Sequence, residues 1–196
     1  IDELRIDIYN RNHELLISFT NEKYEREVPN PAEAIKMPHE ITNNDELYYA
    51  GIHLEQYRHA TYLPEDYYLE GLKRDSYDVR LNTAMGNLLL KRGQFHDSIS
   101  FYDKAIKRLL KHNERPYNAE AILMKALALN YLKKCEEAYN LFYKASWSYE
   151  QQASAFYHLS ILSLLKANEQ NVNKKVLLKE ALNFIEKSIR ANGNNR

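Results

Sequence analysis

The sequence predicts an all-α superhelix of about eight helices with a short N-terminal β-hairpin. Three observations predict it: a helix-pair unit of about 34 residues recurs from residue 79 onward, small residues stand where paired helices must cross closely, and the chain has only five glycines. A helix pair cannot bury its apolar stripe alone, so such pairs are expected to stack on one another. The alternative is an irregular helical bundle whose periodicity is accidental.

The first 27 residues have the alternation of a β-hairpin. Apolar residues occupy every second position before and after the turn at residues 10–13, namely Leu4, Ile6, Ile8, Leu15, Ile17 and Phe19. Two strands are marginal alone, so the hairpin either pairs with further strands or docks on the helices. Because the chain begins at Ile1, we expect residues 1–27 to be the remnant of an upstream domain.

A proline-containing linker or strap is predicted at residues 28–44. The helical-repeat domain is predicted to follow over residues 45–196. Its first repeat, residues 45–75, is degenerate, with helices at 45–59 and 64–74 and close contacts at Gly51 and Gly71.

Three fuller repeats are predicted at residues 76–112, 116–149 and 150–192. Their first helices carry small residues at equivalent positions, Gly86, Ala126 and Ser160. Their second helices carry the matching sets Ser98, Tyr102 and Ala105; Ala138, Phe142 and Ala145; and Ala181, Ile185 and Ser188. These offsets resemble those of the tetratricopeptide (TPR) repeat. Surplus residues predict loop insertions at 111–118 and, about nine residues long, between 167 and 176.

Composition excludes several function classes. The chain has 27 basic and 27 acidic residues, so no nucleic-acid partner is expected. No apolar run is long enough to span a membrane, and no secretion signal opens the chain, so we expect no membrane partner and a cytoplasmic location. The row Lys104, Lys107, Arg108 and Lys111 is interpreted as a solvated outer face. Cys135 is the only cysteine, and we expect it to be a small buried thiol rather than a nucleophile.

The standard catalytic motifs are missing from the sequence. We therefore predict no catalytic residue, no metal site and no cofactor, and this segment is not expected to be an enzyme by itself.

One helical stretch, residues 51–59, is dense in functional side chains. We predict inter-domain or ligand-facing roles for His53, Gln56, Tyr57 and Arg58. Glu55 and His59 lie four residues apart and are expected to form an ion pair, since two ligands are too few for zinc.

In a TPR stack the first helix of each pair lines a concave groove. The offsets that face it predict a change from polar to apolar along the chain. The predicted groove or partner-binding residues are Arg80, Asn87, Lys91, Leu127, Asn130, Tyr131 and Tyr157. An open apolar groove reduces solubility, so we expect the last helix, another subunit or a partner peptide to cover it.

From residue 46 onward the sequence resembles one particular protein family more specifically than it resembles TPR repeats in general. The segments that carry the resemblance include Glu46–Tyr48, Gly51–Ala60, Tyr67–Tyr68, Leu72–Asp75, Asn82–Gly86 and Phe142–Ala145 with Trp147. They resemble a family of large, uncharacterised bacterial proteins in which a β-sandwich similar to galactose mutarotase precedes a C-terminal TPR region. The chain departs from that pattern at Ser76 and Ser98. The resemblance implies a role in carbohydrate binding or processing, with the sugar-facing residues upstream of Ile1.

Two functions follow from these observations. The first is a TPR protein-interaction or scaffold module, part of a larger bacterial protein, that binds a protein segment, another domain of the same protein or a second copy of itself. The alternative is a helical support domain of a carbohydrate-binding or carbohydrate-processing enzyme.

Overall fold

The computed structural model describes residues 4–20, 31, 34–57, 60–169 and 173–192. It divides into two compact units, Ile1–Ala34 and Ile35–Arg196. The division falls within the predicted linker, and each unit is described by itself below.

The first unit contains a two-stranded antiparallel hairpin of β1 (Arg5–Tyr9) and β2 (Leu15–Thr20). Ile6 lies opposite Phe19 and Ile8 opposite Ile17, so one face of the hairpin is apolar. Asn10 closes the turn, because its side chain accepts the backbone N–H groups of residues 12 and 14. The predicted hairpin is confirmed, and its apolar side chains are all exposed.

The second unit is helical. Its described residues form one 3₁₀ turn, Pro38–Glu40, and eight α-helices. The helices are α1 (Asn44–Tyr57), α2 (Pro64–Arg74), α3 (Val79–Lys91), α4 (Phe95–Leu109), α5 (Glu120–Tyr131), α6 (Cys135–Ala145), α7 (Gln152–Glu169) and α8 (Lys174–Ala191). Each helix packs mainly on its neighbours in the chain, and α1–α3 and α3–α5 also touch. This pattern is that of stacked antiparallel helix pairs, so the predicted all-α fold is confirmed.

The segment before α1 is part of the helical unit. Ile41 is 5% exposed and packs with Leu47, Leu54 and Tyr67, and the Tyr67 hydroxyl donates to the backbone carbonyl of Lys36 at 2.9 Å. A segment predicted as part of a linker therefore packs against the first helix pair.

Close helix crossings depend on two glycines, each of which lies against a tyrosine ring. A Cβ at Gly86 would lie 2.5 Å from Cε1 of Tyr102, and one at Gly51 would overlap the ring of Tyr68. Both rings are fully buried. The missing side chain thus lets an aromatic ring of the second helix approach the backbone of the first closely.

The remaining predicted crossings are also buried. Ala105, Ala126, Ala138 and Ala145 are each 0% exposed, and Gly71 contacts Leu81 of the next pair. The prediction that small side chains mark the helix contacts is confirmed.

The connection between α4 and α5 holds the predicted insertion at residues 111–118. It is fastened to the turn that follows α6, because Ser148 donates its hydroxyl to the carbonyl of Tyr117 and the backbone N–H of Ala119 donates to the side-chain oxygen of Gln151 at 2.9 Å. These two contacts place the long connection beside the start of α7.

The last pair differs from the prediction. Instead of a loop of about nine extra residues between 167 and 176, α7 continues to Glu169 and α8 begins at Lys174. Both helices of this pair are 18 residues long, so part of the surplus is helical. The Glu180 carboxylate of α8 accepts from the hydroxyls of Tyr139 and Ser163, each at 3.0 Å.

We predict that Gly86→Ala destabilises the protein although alanine is the better helix former. Its Cβ would meet the buried Tyr102 ring, and overpacking of about 1–3 kcal/mol outweighs a helix-propensity gain of about 1 kcal/mol. Urea unfolding followed by circular dichroism measures the change.

The matched double variant adds Tyr102→Leu, which removes the clash, so the two losses should be less than additive. Ser100→Ala, at an exposed position of α4, serves as the control and should be near neutral. Full additivity of Gly86→Ala with Tyr102→Leu would contradict the proposed contact.

Candidate functional site

The candidate site is the surface formed by the first helices of the four pairs, α1, α3, α5 and α7. The groove positions predicted for α3, α5 and α7 have counterparts on α1. Counting the same offsets from Gly51 gives Asp45, Tyr48 and Glu55, which the sequence analysis missed although the signal was present.

The α1–α3 side of this surface is polar and internally paired. The Arg80 guanidinium forms an ion pair with Asp45 and lies 5.5 Å from the ring centroid of Tyr48. The Lys91 ammonium donates to Glu55 at 2.7 Å. Two of the predicted groove cations are therefore already engaged by carboxylates of the preceding pair.

Two buried tyrosines connect the core with this polar surface. The Tyr68 hydroxyl donates to Glu55 at 2.7 Å, and the Tyr102 hydroxyl donates to the side-chain oxygen of Asn87 at 2.8 Å. Burial raises the pKa of both tyrosines, so both hydroxyls stay protonated and act as donors. The Asn87 amide in turn donates to Glu120 of α5 at 2.9 Å.

The α5–α7 side of the surface is apolar and open. Tyr131, Tyr157, Leu164 and Leu165 are 53%, 47%, 44% and 49% exposed. Tyr131 stacks on Phe95 with ring centroids 4.7 Å apart and an interplanar angle of 16°.

Leu127 and Asn130, also predicted for this side, are half-buried, and Leu127 packs against the core. These two residues lie at the base of the groove rather than on its exposed surface.

The last helix meets this apolar surface at Tyr157, because Ile185 and Ile189 of α8 line a cavity together with that side chain. Elsewhere α8 packs along α7, where Phe156 stacks with Phe184 at 5.9 Å and Ser188 donates to the carbonyl of Ala153. Tyr157, Leu164 and Leu165 are still 47%, 44% and 49% exposed, so a partner peptide or another subunit, the other two covers predicted from the sequence, has apolar surface to bind.

The polar stripe predicted on α1 lies partly outside the described residues, which do not include Arg58 and His59. His53 and Tyr57 are exposed, with ring centroids 4.5 Å apart, and Gln56 is exposed beside them. The two carboxylate oxygens of Glu55 accept from Tyr68 and Lys91, and the predicted ion pair of Glu55 with His59 lies outside the described residues. The inter-domain or ligand roles of this stripe remain predictions.

Cys135 is exposed, so the expectation of a buried thiol is wrong. It is the first residue of α6, and the packed face of that helix begins at Ala138.

The predicted basic row lies on the exposed surface of α4 and just beyond it. Arg108 pairs with Asp75 at 2.9 Å, and the ammonium groups of Lys104 and Lys107 lie 5.4 Å and 5.3 Å from the ring centroids of Phe101 and Tyr77.

Within the part of the chain that the structure describes, no three His, Cys, Asp or Glu side chains come together as a metal site. The described helices also include none with the length and apolar character needed to cross a membrane.

Comparison with known proteins places the fold. No family model matches the chain. The structure described as the MamA RS-1 ArsTM double mutant is similar with a TM-score of 0.59, at 18% identity over 80% of this chain and 79% of that one. MamA 41-end from Desulfovibrio magneticus RS-1 gives a TM-score of 0.58, at 18% identity over 80% of each chain. A further crystal structure of MamA gives 0.53, at 15% identity over 77% of this chain and 92% of that one.

This chain has a TPR-like helical-repeat fold. At these identities the likeness shows the fold alone, which agrees with the paired helices and their spacing of 34 to 40 residues.

We predict that His158 makes the stability of the helical unit depend on pH. Its ring stacks on Phe142 at 4.8 Å, and burial lowers its pKa below the ordinary value of 6.5. As the pH falls below about 6.5, the unfolded chain binds the proton first, so the free energy of unfolding decreases. Urea unfolding between neutral pH and about pH 5.5 measures this slope.

His158→Phe keeps an aromatic ring on Phe142 and should flatten the slope, whereas the control His96→Gln, at an exposed position of α4, should leave it unchanged. An unchanged slope in His158→Phe would assign the pH dependence to other groups.

Proposed function

We propose that this chain is a TPR-type protein-interaction scaffold whose groove binds an uncharged, apolar segment of a partner protein along α5 and α7. The observation that carries the proposal is the exposure of Tyr131, Tyr157, Leu164 and Leu165 on the predicted groove positions. Groups of exposed large apolar side chains of this kind mark interaction surfaces.

The chemistry of the partner follows from the charges of the groove. Arg80, Lys91 and Glu120 are already bound within the protein, and the four exposed side chains are themselves uncharged. A charged partner side chain would lose hydration there without gaining a counter-charge. An apolar side chain would gain about 25 cal/mol for each Å² of apolar surface removed from water.

The predicted wider role, as a scaffold region of a larger bacterial protein, belongs to this proposal. A partner domain of the same protein, or a second copy of the chain, would present the same apolar chemistry. No observation on the described residues favours the carbohydrate-related alternative, which rests on the family resemblance.

Selection from a display library of random linear peptides tests the groove. We expect enriched peptides to carry aliphatic or aromatic residues and few charges. Leu165→Lys places a charge on an exposed groove position and should weaken binding of the enriched peptides about tenfold or more, since binding energy concentrates in few apolar contacts.

Leu182→Lys provides the matched control, because Leu182 is 59% exposed on α8 of the same pair but lies outside the groove positions. Its binding should equal that of the wild type. Peptides that bind Leu165→Lys as tightly as the wild type would remove the groove from consideration. Sedimentation of the protein alone, compared with Leu165→Lys, shows whether a second copy is the occupant.

A further inference from the structure

A small cavity of about 240 Å³ lies where the long α4–α5 connection meets the third and fourth helix pairs. Four segments converge on it: residues 110–119, the end of α6, the start of α7 and the last turns of α8. The side chains that define its chemistry are Arg115, Tyr143, Trp147, Gln152, Phe156 and Lys187. The contacts of Ser148 with Tyr117 and of Gln151 with Ala119 hold the connection in place, which positions Arg115 over the cavity.

Two cations at this cavity are held by aromatic rings rather than by carboxylates. The Arg115 guanidinium lies 5.1 Å from the ring centroid of Trp147, and the Lys187 ammonium lies 5.5 Å from that of Phe156. Within the described part of the chain, neither forms an ion pair and no carboxylate lines the cavity. Aromatic faces hold both side chains in position while leaving their N–H donors free.

The start of α7 adds to the positive potential of the cavity. The first turn of this helix carries no acidic residue, so no carboxylate in that turn offsets the positive end of the helix dipole. Gln152, the first residue of the helix, donates its side-chain N–H to the backbone carbonyl of Ser146. That carbonyl oxygen is therefore already hydrogen-bonded and repels an anionic ligand less. Two fixed cations, amide donors and an aromatic wall therefore surround one small volume.

We propose that this cavity binds an oxyanion side chain of a partner protein segment, with Arg115 and Lys187 as its counter-charges and Trp147 as its apolar wall. A carboxylate of Asp or Glu and the phosphate of a phosphorylated Ser share the required chemistry, namely several acceptor oxygens and negative charge. A nucleic acid would require a longer basic track than two cations on a chain with zero net charge. This proposal is independent of the one for the groove. The cavity is lined by other residues, and it is proposed to bind an anionic side chain, whereas the groove is proposed to bind an uncharged, apolar segment.

Trp147 is the single tryptophan of the chain, so its fluorescence reports on this cavity alone. Titration of the full chain with an oligoglutamate peptide, a phosphoserine peptide and an uncharged oligoglutamine peptide tests the site. We expect a saturable change with one or both anionic peptides and none with oligoglutamine. The apparent affinity should fall as the salt concentration rises. The stronger of the two anionic peptides identifies the source of the oxyanion.

Arg115→Gln and Lys187→Gln should each weaken the anionic peptide about tenfold, measured by calorimetry so that altered Trp147 emission does not confuse the result. The matched control is Lys107→Gln, which also removes a cation from an aromatic ring, that of Tyr77, but on α4 away from the cavity. It should bind as the wild type does. Circular dichroism and thermal melting establish that each variant is folded.

Equal binding of oligoglutamine, equal loss in Lys107→Gln and Lys187→Gln, or tighter binding of single-stranded DNA than of either anionic peptide would each overturn the proposal. Leu165→Lys should leave anionic peptide binding unchanged, so failure at the groove and failure at the cavity are distinguishable.

Discussion

The contact between a helix-backbone glycine and a buried tyrosine ring is the constraint on which the first half of this structure depends. Gly51 and Gly86 leave room for the rings of Tyr68 and Tyr102 to approach the backbone of the preceding helix closely. The close approach has a second consequence, because each ring is long enough to pass the helix and deliver its hydroxyl to a side chain on the groove surface. Core packing and the polar groove are thus set by the same pair of residues.

The change in the groove from polar to apolar follows from a change in that pair. In the next repeat the equivalent residues are Ala126 and Phe142, which share one core cluster. A phenylalanine has no hydroxyl to orient a polar side chain, and its ring instead stacks on His158 of α7. The polar network therefore stops at Glu120, and the groove beyond it presents tyrosine and leucine side chains. The packing of each helix pair therefore determines whether the groove presents polar or apolar side chains to a partner.

Local spacing explains how much could be predicted from the sequence. The helices, the buried alanines and the groove positions all follow from offsets within a 34-residue unit, because helix geometry fixes which side chains share a face. Counting the same offsets from Gly51 also finds Glu55. Features that depend on several segments at once could not be predicted: Arg115, Trp147 and Lys187 are far apart in sequence and meet only because the α4–α5 connection, the turn after α6 and helix α8 pack together. Helix length in the last pair was equally inaccessible, since nothing in a periodic pattern separates a loop insertion from a longer helix.

The presence or absence of an ion-pair partner at each charged side chain, rather than the net charge of the chain, determines where this protein can attract a charged ligand. The chain is neutral overall, and the ion pairs Arg80–Asp45 and Lys91–Glu55 neutralise four charges between α1 and α3. Exposed pairs of this kind add little stability, so their main effect on the groove is to remove free charge from it. Arg115 and Lys187 are held by aromatic rings, which position a cation without neutralising it. A stack with zero net charge can therefore present an apolar groove and an anion-attracting cavity at once, because aromatic contacts in one place and carboxylates in the other determine which cations stay available.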